Sequence, residues 1–174
     1  LAWDSTVSLL IERRDLYDFS KTSQVTELYW KAAQPVLSSS LSLVQQGVEF
    51  FLKGKIAKIS PYLLIIGVPS SFPKNSNKQS ISFSDFRTID AQDLIRVHDT
   101  FCETRLSDSF CQWYDELRRL RNKLIHTVDR AIVINDKDVL IHIMEACDYC
   151  IEPRSWVDVR SQYLMKAPDE YLFQ

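Results

Sequence analysis

The hexapeptide Arg121-Asn122-Lys123-Leu124-Ile125-His126 sets a guanidinium, a carboxamide and an imidazole within about one and a half helical turns. An imidazole exchanges a proton near neutral pH. A guanidinium is a permanent planar cation whose fork matches phosphate oxygens. Together they suit phosphodiester chemistry that needs no metal. On an ideal helix, residues four apart differ by about 40° and residues five apart by about 140°. Asn122 and His126 therefore share a face, with Arg121 to one side. Arg119 lies seven residues before His126, about 20° away, and is a rival for the arginine role. Basic residues also collect in last turns of ordinary helices, where they answer the macrodipole.

The element that must carry these groups is a helix over Asp108–His126. Ser107 or Asp108 caps it, and Phe110, Trp113, Tyr114, Leu117, Leu120, Leu124 and Ile125 recur at intervals of three and four. It should end near Val128–Arg130. Upstream, the pattern predicts a helix from Asp4 to Tyr17 and a longer one from Gln24 to Ile59, which Pro35 should kink or restart. Leu37, Leu41, Val44, Val48, Phe51, Leu52 and Ile56 form its apolar stripe. Gly47 and Gly54 lie on roughly one face and would admit a closely packed helix. Ser60-Pro61 should start a short buried helix over Tyr62–Ile66. Residues 68–89 read as a flexible loop, rich in Ser, Pro, Asn and Lys, with a short extended piece at Ile81–Phe83. Asp90 should cap a helix from Ala91 to Thr104, supported by Asp93. Ala131–Ile134 is β-like, Asn135–Asp138 caps a helix over Val139–Ile151, and Pro153 opens a last segment, Arg154–Met165. This amounts to a single all-α domain over residues 1–174, with five to seven helices and one long loop.

Composition agrees. The 174 residues are 45% apolar, enough for a core, and only three are glycine, few for a turn-rich β fold. A net charge of −2 excludes a protein that coats nucleic acid with overall positive charge. Any nucleic-acid site is local, and Arg118, Arg119, Arg121 and Lys123 form the one basic patch that would serve. No apolar run is long enough to span a membrane, so a cytoplasmic protein with reduced thiols is expected. Cys147-x-x-Cys150 is half of a zinc-type spacing, but Cys102 and Cys111 do not make the other half. His98 and His142 stand alone among apolar neighbours. No P-loop, GxGxxG, GxSxG or HExxH occurs.

The run of Arg, a polar residue, three spacers and His resembles the signature of the HEPN superfamily (higher eukaryotes and prokaryotes nucleotide-binding), many of whose members are ribonucleases. The resemblance covers most of the chain. It takes in an early apolar helix ending in Val48-Glu49-Phe50-Phe51-Leu52-Lys53-Gly54, a short helix, a variable loop, and the Trp113-to-His126 helix. Glu49 stands where bacterial members carry an acidic residue before a Leu-Lys pair. Asn122 beside Arg121 completes the common form of the motif and favours Arg121 over Arg119. The resemblance implies a HEPN-like bundle and a homodimer in which Arg121, Asn122 and His126 of both chains form one composite catalytic site. Arg118, Arg119, Lys123 and Glu49 would bind substrate. It implies RNA as substrate, no cofactor and no metal, and a toxin or phage-defence setting with an antitoxin or nucleotidyltransferase-type partner. A non-catalytic HEPN-like module that binds a nucleotide or a protein is the alternative.

Overall fold

A computed structural model of the chain describes residues 1–19, 23–67, 72–73, 81–126, 133–151, 158 and 161, of which 13–19, 23–26 and 125–126 are described in backbone only. The fold class is all-α. Five α-helices are present among the described residues: α1 (Ala2–Phe19), α2 (Ser23–Ile59), α3 (Leu94–Phe101), α4 (Asp108–His126) and α5 (Asp136–Cys150). The described chain groups into two compact units, one of residues 1–44 with 123–174 and one of residues 45–122.

In the first unit, α2 runs through Pro35 without the restart that the sequence offered as one of two outcomes. Proline removes one backbone N–H and crowds the preceding turn, at about 3 kcal/mol. Ala33, Leu37 and Leu41, at 2%, 0% and 0% exposure, bury the face that the helix keeps aligned. Each fully buried leucine contributes roughly 1.5–3 kcal/mol, so an unbroken apolar face outweighs the lost bond. The Tyr29 hydroxyl donates to the Leu9 carbonyl, and α1 packs on α5. Ile134 is fixed by a reciprocal amide clamp: its N–H donates to Gln34 Oε1 at 2.7 Å, and Gln34 Nε2 donates to its carbonyl at 3.0 Å. That clamp takes the backbone groups which a strand at Val133–Ile134 would have used, and neither residue is in a strand; Ala131 and Ile132 lie outside the described residues. Asn135 caps α5, its side chain accepting from Lys137 N at 3.0 Å. The expected last segment, 154–165, lies outside the described residues except at Asp158 and Ser161.

The second unit holds the remainder of α2, with Val48, Leu52 and Ile56 buried. After Ser60 the chain makes a 3-10 turn, Pro61–Leu64, shorter than the buried helix read from the sequence. Leu64 is buried, but Tyr62 is 75% exposed. The next residues pair backwards. Ile65 and Thr88 form an antiparallel bridge, with Ile66 N donating to Arg87 O at 2.9 Å and Ile89 N to Leu64 O at 2.8 Å. Residues 81–89 are thus anchored instead of looping freely, and Phe83–Asp85 form a 3-10 turn in place of an extended piece. Residues 68–71 and 74–80 of the expected loop lie outside the described residues.

Helix α3 is shorter at both ends than the Ala91–Thr104 reading. Residues 91–93 are a turn. At the other end the Asp99 carboxylate accepts from Leu106 N at 3.0 Å, pulling the chain out of the helix after Phe101. Burial disfavours the charged Asp99 carboxylate, but the Leu106 N–H and neighbouring His98 outweigh it and hold its pKa below the ordinary value. His98 is 3% exposed, its Nδ1 3.1 Å from Asp99 Oδ1, a partnered core histidine.

Helix α4 begins at Asp108 and runs through His126, over the stretch read from the sequence; its expected end near Val128–Arg130 lies outside the described residues. Ser107 Oγ accepts from Phe110 N at 3.2 Å. Phe110, Trp113, Tyr114 and Leu117 are buried; Leu120 and Leu124, expected beside them, are half-buried. The Phe110 ring lies nearly parallel to Tyr114, at 3° and 6.0 Å. Gly47 and Gly54 are exposed, and a Cβ at either would meet nothing within 4 Å. No helix of the described chain uses the close approach they offer.

Candidate functional site

Within the unit of residues 45–122, a hollow of about 280 Å³ opens between α2, the turn that precedes α3, and α4. Arg118, Arg121 and Asn122 line it from α4, Gln45 and Glu49 from α2, and Asp90, Ala91 and Gln92 from the turn. Seven of these eight side chains are polar. The helices deliver them because each buries its other face: Leu117 on α4 and Val48 and Leu52 on α2 point into the core. The turn is fixed to α4 by Tyr114, whose hydroxyl donates to the Ala91 carbonyl at 3.3 Å. Burial, with the Glu49 charge nearby, pushes the Tyr114 pKa up to about 12. The phenol is therefore a neutral donor at physiological pH and not a base.

The charged groups are in different states of use. Glu49 Oε1 accepts from Lys53 Nζ at 2.6 Å, and its Oε2 accepts from Gln45 Nε2 at 3.3 Å. Both ends of the Glu49–Lys53 pair are 21% exposed. Arg118 Nη2 donates to Asp115 Oδ1 at 2.7 Å, and Arg119 Nη2 lies 2.7 Å from Asp115 Oδ2. One carboxylate thus holds two guanidiniums. The Arg118 hydrogen bond comes first in holding Asp115 below the ordinary carboxylate range, with the Arg119 and Arg118 charges adding to it against a burial penalty. Arg121 has no carboxylate partner among the described residues. Its Nη1 donates to Asn122 Oδ1 at 3.0 Å, and its Nε is buried with no acceptor. A buried donor left unmade costs about 1–3 kcal/mol, more when charged, and Arg121 is the residue of the hollow's lining that bears one. The Asn122 oxygen turned toward the guanidinium leaves its NH₂ for a second contact.

Of the residues singled out from the sequence, Arg118, Arg121, Asn122 and Glu49 meet at this hollow. Arg119 does not line it; its side chain is 71% exposed and bound to Asp115. Lys123 is exposed on the next turn of α4. His126 is the last residue of α4, and its side chain lies outside the described residues, so the expectation that it is partly exposed does too. Gln45, Gln92 and Tyr114 were not anticipated, and Asp90 was expected only as a cap. The sequence signal for Gln45 is its position one turn before Glu49. Asp90, Ala91 and Gln92 arrive through the Leu64–Ile89 and Ile66–Arg87 pairing, which has no local signature.

Among the described residues no group of three His, Cys, Asp or Glu side chains could hold a metal ion, and none of the helices is long and apolar enough to cross a membrane. Burial pushes the Cys147 thiol up, with Asp148 adding to it, and burial does the same to Cys111. These are poor conditions for a thiolate. No protein-family model matches the chain, and no curated protein or solved structure matches it.

Proposed function

We propose that this chain is a metal-independent endoribonuclease of HEPN type. It works as a homodimer in which Arg121, Asn122 and His126 of two chains share one cleft. The observation that carries the reading is Arg121. It is an arginine with a buried, unanswered N–H, set beside Asn122 on a polar hollow and five residues before a histidine on the same helix. A phosphoryl oxygen is the acceptor whose geometry and charge fit a guanidinium fork.

Two copies of the motif supply what one lacks. One His126 takes the proton of the ribose 2′-OH as that oxygen attacks the adjacent phosphorus. The other protonates the departing 5′ oxygen, leaving a 2′,3′-cyclic phosphate. The Arg121 pair neutralises charge that builds on the phosphoryl oxygens, and Asn122 holds Arg121 in register through the 3.0 Å bond. Glu49, bound by Lys53 and Gln45, shapes the wall and limits net positive charge. A toxin or phage-defence effector, with an antitoxin or nucleotidyltransferase-type partner, is the setting that follows.

A second reading, a non-catalytic HEPN-like module, draws on the Asp115 cluster, where both arginines are engaged in structure. One assay separates the two: cleavage of a mixed-sequence RNA by the wild-type chain and by His126→Ala, each in EDTA. The nuclease reading expects cleavage by the first and none by a folded second. RNA bound but left intact by both selects the module.

A further inference from the structure

Ala91 is the one apolar residue in the lining of the hollow. That inverts the usual make-up of a small-molecule site, which is mostly apolar and aromatic with a few polar groups. Sites that read a nucleobase cover its flat faces with aromatic or apolar side chains, and this lining has no aromatic residue. What it offers is hydrogen-bonding charge of both signs. The guanidiniums of Arg118 and Arg121 donate, the carboxylates of Glu49 and Asp90 accept, and the carboxamides of Gln92 and Asn122 do both. These groups are unequally committed. Arg118 is tied to Asp115 at 2.7 Å, whereas Arg121 has the neutral Asn122 side chain at 3.0 Å. Glu49 holds Lys53 at 2.6 Å. Asp90 has a looser pairing, with Arg87 at 3.4 Å and the two side chains 53% and 75% exposed, and such a pair is worth little. One cation, Arg121, and one anion, Asp90, are therefore the least engaged charges of the lining. A ligand that answers both carries acceptor oxygens and O–H donors together.

We propose that the hollow takes a phosphorylated sugar, with phosphate oxygens at Arg121 and a sugar hydroxyl donating to Asp90. The inference rests on the ribonuclease reading of the hollow. It names the part of the substrate held there as one ribose with its phosphate, and not a base. The phosphate oxygens accept from the guanidinium fork. A sugar hydroxyl donates as well as accepts, so it answers a carboxylate that a phosphate alone would meet with repulsion. Glu49 and Asp90 line the same space, and they disfavour an anion that brings no hydroxyl. The volume of about 280 Å³ lies just below the usual range for small-molecule sites, roughly 300–1,000 Å³, and suits one such unit. Recognition then runs through the sugar and phosphate, and the base at that position is left unread.

The test titrates the full chain with ribose 5-phosphate and with methyl phosphate, which carries the same charge and no sugar hydroxyl. NMR signals of the Arg121, Asn122 and Gln92 side-chain N–H groups report binding at the hollow. Ribose 5-phosphate should bind roughly tenfold more tightly, the order expected of one hydrogen bond to a charged group. Arg121→Ala should abolish binding of both probes. Asp90→Ala should erase the sugar advantage without weakening methyl phosphate, a combination that unfolding would not give. The four nucleoside 5′-monophosphates should bind within roughly threefold of ribose 5-phosphate. Equal binding of the two probes by wild type, binding of neither, an advantage that survives Asp90→Ala, or a preference above about tenfold for one nucleotide would each overturn the assignment. Cleavage of unmodified RNA is read in parallel. Wild-type cleavage with no sugar advantage ends the assignment and leaves the nuclease reading standing. A sugar advantage that depends on Asp90, without cleavage by wild type, does the reverse.

Discussion

Helix α4 carries arginines under two regimes one turn apart. At Asp115 a single carboxylate engages both Arg118 and Arg119 at 2.7 Å. At Arg121 no carboxylate answers among the described residues, and a buried N–H points at no acceptor. In the sequence these residues form one basic cluster, Arg118 to Lys123. In the fold, two of its arginines share one carboxylate, and Arg121 lines the hollow without one. A cationic run therefore says little about binding until each charge is matched against its carboxylates. What sets Arg121 apart is that it lacks a carboxylate while its neighbours share one.

The largest expected effects test that division at the chemistry. His126→Ala should lower the RNA cleavage rate by roughly 100- to 10,000-fold, the usual loss for a general acid or base. Arg121→Ala should lose about 100- to 1,000-fold, as when a group that stabilises developing charge is removed. Arg121→Lys should recover only part, since a point charge cannot reproduce the fork. Arg119→Ala, the rival position, should stay near wild type because its guanidinium is 71% exposed and spent on Asp115. Single-turnover rates on one RNA, and on the same RNA with a 2′-deoxy residue at the cut, give all of these values. The 2′-deoxy substrate should resist every variant. If Arg119→Ala were the inactive one, the comparison would be inverted.

Next in size is the support beneath both regimes. Leu117 is fully buried on α4 between Asp115 and Arg121. Leu117→Ala should cost about 2–5 kcal/mol, seen as a lower urea midpoint, with loss of binding at the hollow following loss of structure. A shift below about 1 kcal/mol would mean that the site collapses easily and that α4 is not rigidly seated.

That seat was readable in the sequence, because α4 obeys local rules: a Ser107 cap and an apolar repeat at three and four residues. It begins at Asp108, as read, and is helical through His126; the end expected near Val128–Arg130 lies outside the described residues. Arg121, Asn122 and Glu49, singled out through a motif and a resemblance, all line the hollow. The misses have other physics. Pro35 does not restart α2, because burial on both sides of it favours one continuous helix. Residues 91–93 became a turn and Asp99 ended α3 early, and these follow from partners at Tyr114 and Leu106. The Ile65–Thr88 pairing is non-local. The wall of Asp90, Ala91 and Gln92 could not be read from residues that are far from α4 in sequence.

A smaller effect separates stability from the site. Gly54 lies mid-helix and exposed on α2, with open space at its Cβ position. Gly54→Ala should stabilise the chain by roughly 0.5–1 kcal/mol, read as a raised urea midpoint, with cleavage unchanged. Arg121→Ala made in that background should be as inactive as in wild type, which excludes unfolding as the cause of its loss. If Gly54→Ala weakened dimerisation in sedimentation, the open face would instead be where the second chain approaches.

The smallest effect is at Asp115, and it decides whether the held arginines are a reserve. Asp115 is held below the ordinary aspartate value of 3.8, first by the Arg118 hydrogen bond. A lowered folded-state pKa means that the ionised form favours folding. The contribution is complete above the unfolded value and disappears as pH falls through the folded one. The stability gap between wild type and Asp115→Asn should therefore be flat from about pH 5 to 8, and should close below pH 3.8. With 36% of the Asp115 side chain exposed, the gap should be at most about 1 kcal/mol. The variant also frees Arg118, which lines the hollow, and Arg119. If they then reach phosphates, the fall of RNA affinity with salt should steepen by about 0.7 per arginine engaged, the value for single strands. A steeper slope shows that Asp115 withholds positive charge from the substrate in the wild-type chain. An unchanged slope shows that the two arginines were never in reach of it, and that Arg121 alone meets the phosphate.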